Sequence, residues 1–175
     1  GQCHVLGIAT KTPYADNPTI CSRILYGESN DLPAPAETIH QACRATVAAL
    51  GLGQGVVHAE FIVQGNAVMP IDIAARGGGV LIYRVVIPHV SGLDVNRAVI
   101  DQCIGDRLDV RLRRQPRCAC IEFFRLPPGR LDAWEGAANA RKTPGVAGLI
   151  FNIEAGHVVG ALADKDRRPG YIVAL

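Results

Sequence analysis

The sequence predicts an α+β fold, an antiparallel sheet with flanking helices followed by a small, mainly β annex. Three observations point there. Apolar residues recur at helical spacing before Gly51 and again from Leu93 to Ile104. Segments rich in β-branched residues lie on either side of the first of these helical stretches. Beyond Arg107 the chain changes to short apolar runs punctuated by proline and glycine.

The elements follow in order. His4 to Thr10 reads as a strand, then a loop carries Pro13, Asn17 and Pro18, and Thr19 to Tyr26 reads as a second strand. Asp31-Leu-Pro-Ala-Pro-Ala36 suits a helix entry, and Ile39, Cys43, Thr46, Val47 and Leu50 then mark an amphipathic helix that Gly51 and Gly53 stop. Val56 to Val63 and Val68 to Ala75 form a hairpin around Gln64-Gly-Asn-Ala67. Val80 to Val90 is apolar without a clear period, a pattern that a buried strand or a buried helix both satisfy; helix is the reading favoured here. Leu93 to Ile104 is a better-marked helix, with Asp94 at its start and Gly105 past its end. Cys118 to Phe124, Val146 to Ile153, His157 to Leu162 and Tyr171 to Leu175 are the strands of the annex. The expected division is residues 1–110 for the first domain and 111–175 for the annex.

Composition sets the function classes. In 175 residues, 49% are hydrophobic and 19% charged, the balance of a packed domain. Eighteen basic and sixteen acidic residues leave a net charge of +2, and the cluster Arg111, Arg113, Arg114 and Arg117 has few aromatics beside it, so nucleic acid is not expected as a partner. No apolar run is long enough for a membrane-spanning helix. The six cysteines match neither a zinc site nor a disulfide framework; they read as reduced thiols packed as small hydrophobes, and a cytoplasmic location follows. The chain opens at Gly1 and closes at Leu175 within apolar segments, from which a fragment of a longer protein is expected.

The hairpin carries the chemistry. Alternation puts Val57, Ala59, Phe61 and Val63 on one face with Met69, Ile71 and Ile73, and puts His58, Glu60, Pro70, Asp72, Ala74 and Arg76 on the other. A three-residue loop, Gly65-Asn66-Ala67, would set Gln64 against Val68 and Glu60 against Asp72. Facing carboxylates repel, and a divalent cation would offset that repulsion, with Arg76 placed to meet phosphate oxygens. The plainer alternative is that both acids face solvent and Arg76 relieves them as a surface ion pair. His58 could contact a substrate or serve structure alone, and Lys11 could contact phosphate or be a solvated loop charge.

The run Gly51-Leu-Gly-Gln-Gly-Val-Val-His-Ala-Glu60-Phe, followed by Met69-Pro-Ile-Asp72-Ile-Ala-Ala-Arg76-Gly-Gly-Gly79, resembles the metal-binding hairpin of the ATP-grasp superfamily, in its amino-acid and carboxylate-amine ligase branches. Val90-Ser-Gly-Leu-Asp94, Pro144-Gly-Val146 and Arg168-Pro-Gly-Tyr171 extend the resemblance over most of the chain. It implies the C-terminal half of such an enzyme, with the lysine-bearing N-terminal half preceding Gly1. It implies ATP as nucleotide and Mg2+, or Mn2+ in its place, as ion. Glu60 and Asp72 become metal ligands, Arg76 a catalytic phosphate or acyl-phosphate contact, and Gly77 and Gly78 backbone contacts to an anion. Aspartate stands where glutamate is more usual, and Ala74 where asparagine is common.

The implied reaction joins a small-molecule carboxylate to an amine through an acyl phosphate, releasing ADP, and the chain by itself is expected to turn over ATP negligibly. A homodimer is compatible with this picture. A biotin-carboxylase-like role and a noncatalytic ATP-grasp-like binding module, for which Ala74 argues, stand as alternatives.

Overall fold

A computed structural model describes residues 2–27, 32–65, 67–106, 110–113 and 117–175. Gly1, Asp31, Asn66, Arg107 and Arg114, which the sequence reading uses, lie outside the described residues. The chain divides into two compact units, one of residues 1–8 and 28–116 and one of residues 9–27 and 117–175.

The first unit begins with α1 (Ala36–Ala49), which follows Pro33 and Pro35 and buries Ile39. Pro35 takes the N-cap, where a missing N–H costs nothing. The helix ends at Leu50, whose amide donates to the carbonyl of Thr46, and Gly51 then turns in the left-handed region at φ 66°. α1 packs on the hairpin of β3 (His58–Gln64) and β4 (Ala67–Ala74), which form an antiparallel two-stranded sheet. After the hairpin, the apolar run that left strand and helix open is helical, a π-helical turn at Ile82–Val86 continued by α2 (Ile87–Ser91). α3 (Val95–Ile104) follows, with the Asp94 carboxylate accepting from the Arg97 amide as an N-cap and Gly105 closing the helix at φ 84°. Ile82, Val86, Val90, Val95 and Ala98 are the buried apolar residues of these turns.

The second unit is a five-stranded, wholly antiparallel sheet. Its strands are β1 (Ala9–Tyr14), β2 (Asn17–Tyr26), β5 (Ala119–Phe123), β7 (Val146–Phe151) and β9 (Gly170–Ala174), in the order β1-β2-β5-β9-β7. The short β6 (Gly129–Arg130) and β8 (Val158–Val159) pair separately, and α4 (Ala137–Lys142) packs on β7. Alternation in β5 buries Ala119, Ile121 and Phe123, and Ile20, Ile24, Tyr26, Leu149 and Val173 are the other buried apolar side chains of the sheet.

Three expectations change. The opening strands, assigned by sequence to a first domain of residues 1–110, belong to the sheet of the C-terminal unit, because β2 pairs with β5 from Arg23↔Glu122 to Tyr26↔Ala119. Strand β1 is displaced towards the turn and includes Pro13, which an edge strand tolerates at a register irregularity. Cys118 and Cys103 are exposed rather than buried, since the buried face of β5 is the odd-numbered one and Cys118 precedes the strand. All six cysteines are free thiols, and among the described residues no helix is long and apolar enough to cross a membrane.

Candidate functional site

The hairpin register places Glu60 directly opposite Asp72, with His58 opposite Ala74. The route to that pairing differs from the simple one. Gln64 pairs with Ala67, so the connection is one residue shorter than alternation predicts. Ile71 is then passed over between Glu60↔Asp72 and Phe61↔Pro70, a bulge that restores the offset. Two one-residue shifts of opposite sign cancel at the acids.

They do not cancel beyond them. On the tip side of the bulge, Ile62 pairs with Met69, so Met69 joins the face that carries His58 and Glu60 instead of the oily one, and Pro70 moves opposite Phe61. Ile62, Met69 and Ile71 are exposed at 49%, 43% and 57%, so the hairpin tip presents an apolar surface next to its acids.

Around the acids, His58 Nε2 lies 3.6 Å from Glu60 Oε1, both side chains about three-quarters covered. Asp72 is the more exposed of the two acids. Arg76 stands two residues past the end of β4, exposed, with its guanidinium donating to the Gly77 carbonyl at 2.8 Å. The structure therefore sets Glu60 beside His58 and in register with Asp72, and leaves Arg76 at the exit of the strand on a local hydrogen bond. Lys11 lies in β1, in the C-terminal unit.

The glycines have a packing reason that sequence reasoning missed. A Cβ on Gly77 would overlap the Tyr83 ring, and one on Gly78 would lie 2.9 Å from Ile82 Cγ2 and 3.1 Å from His58 Nδ1. Close approach of the chain to its own side chains requires glycine at both places; at Gly79 no atom lies within 4 Å. Val80 and Leu81 follow in the left-handed region at φ 45° and 66°. That is an uncommon conformation for any residue with a Cβ and a strained one for a β-branched valine. The turn is held by amides of Ile82 and Tyr83 donating to the carbonyls of Gly79 and Gly78, at 2.8 and 3.4 Å. No sequence signal announces a left-handed valine.

Gly77, Gly78, Gly79, Val80, Leu81, Tyr83 and Arg84 line an open pocket of about 350 Å³. For a metal, the described residues offer no group of three or more His, Cys, Asp and Glu side chains. Two facing carboxylates fit a hard cation that takes the rest of its oxygen ligands from phosphate and water, which is how magnesium is commonly held.

Comparison with known proteins bears on the fold. The family model of the L-amino acid ligase C-terminal domain 2 matches residues 122–175. The L-amino acid ligase from Bacillus licheniformis superposes with a TM-score of 0.80 at 19% identity, over 98% of this chain and 43% of that one. Phosphoribosylglycinamide synthetase from Anaerococcus prevotii gives 0.71 at 14% identity, over 95% and 42%. A carboxyaminoimidazole ribonucleotide synthase from an Aspergillus species, complexed with ATP, gives 0.59 at 13% identity, over 96% and 41%. No curated protein sequence matches the chain. The chain spans less than half the length of these solved proteins. The chain thus shares the fold of about two-fifths of these ligases and synthases, and its residues 122–175 match the L-amino acid ligase C-terminal domain 2.

Proposed function

We propose that this chain is the metal- and phosphate-binding half of an ATP-dependent ligase that joins a carboxylate to an amine and releases ADP. The observation that carries the reading is the cross-strand pairing of Glu60 with Asp72, immediately before Arg76 and the glycine turn. A pair of like charges at one register position is destabilising by itself, and a site for cations gives it a purpose. The chain spans only part of the solved ligases, so activity belongs to the larger protein, and the chain alone turns over ATP negligibly.

In this reading a carboxylate oxygen of the first substrate attacks the γ-phosphorus of ATP, ADP leaves, and an acyl phosphate forms. The amine then attacks the acyl carbon, loses a proton, and inorganic phosphate leaves. A divalent cation, Mg2+ or Mn2+, supplies neutralisation of the phosphate oxygens when bound. Glu60 and Asp72 would hold it, with the His58 ring beside Glu60. Arg76, once turned from the Gly77 carbonyl, offers the guanidinium fork that matches a phosphoryl group. Gly77 and Gly78 would offer backbone amides to that group, as glycine-rich turns do for anions. The free thiols fit a reducing, cytoplasmic compartment.

Ala74 favours a second reading, a binding module that has kept the fold and lost the reaction. It stands opposite His58, two residues from Asp72 on the same strand, and provides no oxygen ligand. The deciding experiment is ADP release by the complete protein with Mg-ATP, pooled amino acids, other small carboxylates and bicarbonate, beside Glu60→Ala and Asp72→Ala. Substrate-dependent release lost in both variants supports the ligase. Release that needs bicarbonate would make it a carboxylase, and absence of both release and Mg-ATP binding would favour the module.

A further inference from the structure

The pocket beyond the glycine turn contains a residue that the reaction above does not use. Arg84 lies in the π-helical turn at Ile82–Val86, is exposed, and is the one charged side chain among the residues lining the pocket. The rest of the lining is backbone and apolar, and the Tyr83 hydroxyl is turned towards the Val95 carbonyl at 3.5 Å. Among the described residues no acidic side chain pairs with Arg84.

The local backbone is bent to make this wall. Val80 and Leu81 are both left-handed, and the amides of Val85 and Val86 both donate to the Leu81 carbonyl, at 2.9 and 3.1 Å. Widening a helix by one residue in this way is rare and concentrates at functional sites. Here it sets a guanidinium on the rim of a cavity whose volume suits a small molecule. A guanidinium that no acidic side chain among the described residues pairs can grip a planar or tetrahedral oxyanion through two parallel hydrogen bonds.

We infer that Arg84 is a specificity-determining residue, selecting an amine substrate that bears an oxyanion, carboxylate or phosphate, separate from its reacting nitrogen. This rests on the ligase reading for its chemistry, though not for the binding itself. Neither Glu60 nor Asp72 takes part: the oxyanion is held at the turn, and the acids remain with the phosphates of ATP.

Two measurements test it. In the complete ligase, kcat/KM is compared for glycine against glycinamide and for phosphoethanolamine against ethanolamine as acceptors, in the wild type, Arg84→Met and Arg84→Lys. The charged member of one pair should be preferred. Arg84→Met should lower that preference about 10- to 100-fold, the loss expected when a charged hydrogen-bond partner is removed, and Arg84→Lys should restore part of it. The pair affected identifies the oxyanion, and ratios unchanged by Arg84→Met in both pairs would overturn the proposal while leaving the ligase intact. If no acceptor supports ADP release, the ligase reading has failed, and binding alone decides. Inorganic phosphate and acetate are titrated into the chain while the Arg84 Nε–H and the amides of Gly79 to Leu81 are followed by NMR. Saturable shifts that Arg84→Met abolishes sustain the site; none with either anion removes it.

Discussion

His58 bridges the hairpin and the glycine turn: its Nε2 lies 3.6 Å from Glu60 Oε1, and its Nδ1 lies where a Cβ on Gly78 would come within 3.1 Å. One imidazole thus orients an acid on one side and demands glycine on the other. Gly78→Ala should therefore disturb the hairpin as well as the turn, costing about 1 to 3 kcal/mol of stability as overpacking does. Gly79→Ala, with open space around it, should cost no more than about 0.5 kcal/mol. Urea unfolding of the two variants checks the contrast, and equal losses would refute it.

The Glu60–Asp72 pairing leads to effects of opposite sign on the empty and loaded protein. Glu60→Gln removes half of a like-charge pair and should raise the stability of the metal-free chain by about 0.2 to 1 kcal/mol. The same change should abolish the thermal protection given by Mg-ATP to the complete protein, since ligand stabilisation disappears with affinity. A variant that loses stability in both states would show that Glu60 serves the fold alone.

Val80 adopts φ 45° with a branched side chain, an arrangement whose strain is on the order of 1 to 3 kcal/mol. Val80→Gly should recover part of it despite the entropy glycine adds to the unfolded chain, leaving stability unchanged or higher by up to about 1 kcal/mol. Chemical denaturation measures this directly, and a clear loss would mean that the valine side chain contributes more by packing than its backbone costs.

In the second unit the Arg125 guanidinium donates to both oxygens of Asp16 and holds that carboxyl below its ordinary pKa. A carboxyl depressed in the folded state contributes stability above its unfolded pKa, about 3.9, and loses it as pH falls through the lower folded value. Asp16→Asn should lower the urea midpoint slightly near neutrality and flatten its dependence on pH below about 4, so that the variant and the wild type converge in acid. An unaltered acid limb would assign acid sensitivity to other carboxylates.

Burial pushes the Cys43 thiol above its ordinary pKa, with Cys3 adding to the effect, whereas Cys103 and Cys118 are exposed. Since the thiolate is the reactive form, alkylation at pH 8 should modify Cys103 and Cys118 at least about tenfold faster than Cys43. Mass spectrometry of a time course resolves the order.

How far all this could be read from the sequence depends on the range of the interaction concerned. That Glu60 and Asp72 share a face followed from alternation, a local property, whereas their direct pairing arises from a shorter turn offset by the bulge; the helical character of α3 followed from Asp94 and Gly105 at its ends. The bulge at Ile71 was not legible, because it depends on a competition between turn length and strand packing that no single residue marks, and it carried Met69 to the other face. The sheet to which β1 and β2 belong was equally hidden: a hairpin with one apolar face says that it needs a partner, but not which of several strands will supply it. The left-handed Val80 and the placement of Arg84 came from the same kind of tertiary constraint, imposed by Tyr83 and Ile82 crowding against Gly77 and Gly78.

The pairing of Tyr26 with Ala119 also bears on synthesis. Because β2 finds β5 only across the whole of the intervening unit, a ribosome completes the hairpin, the glycine turn and α3 before the second sheet can close. The inner unit can mature first while the opening hairpin waits with its apolar face uncovered. Closing so long a loop is slow relative to forming the local turns within it. A nascent chain arrested before β5 would then display β1 and β2 as a site for chaperone capture, and release of that capture would coincide with the emergence of Ala119 to Phe123.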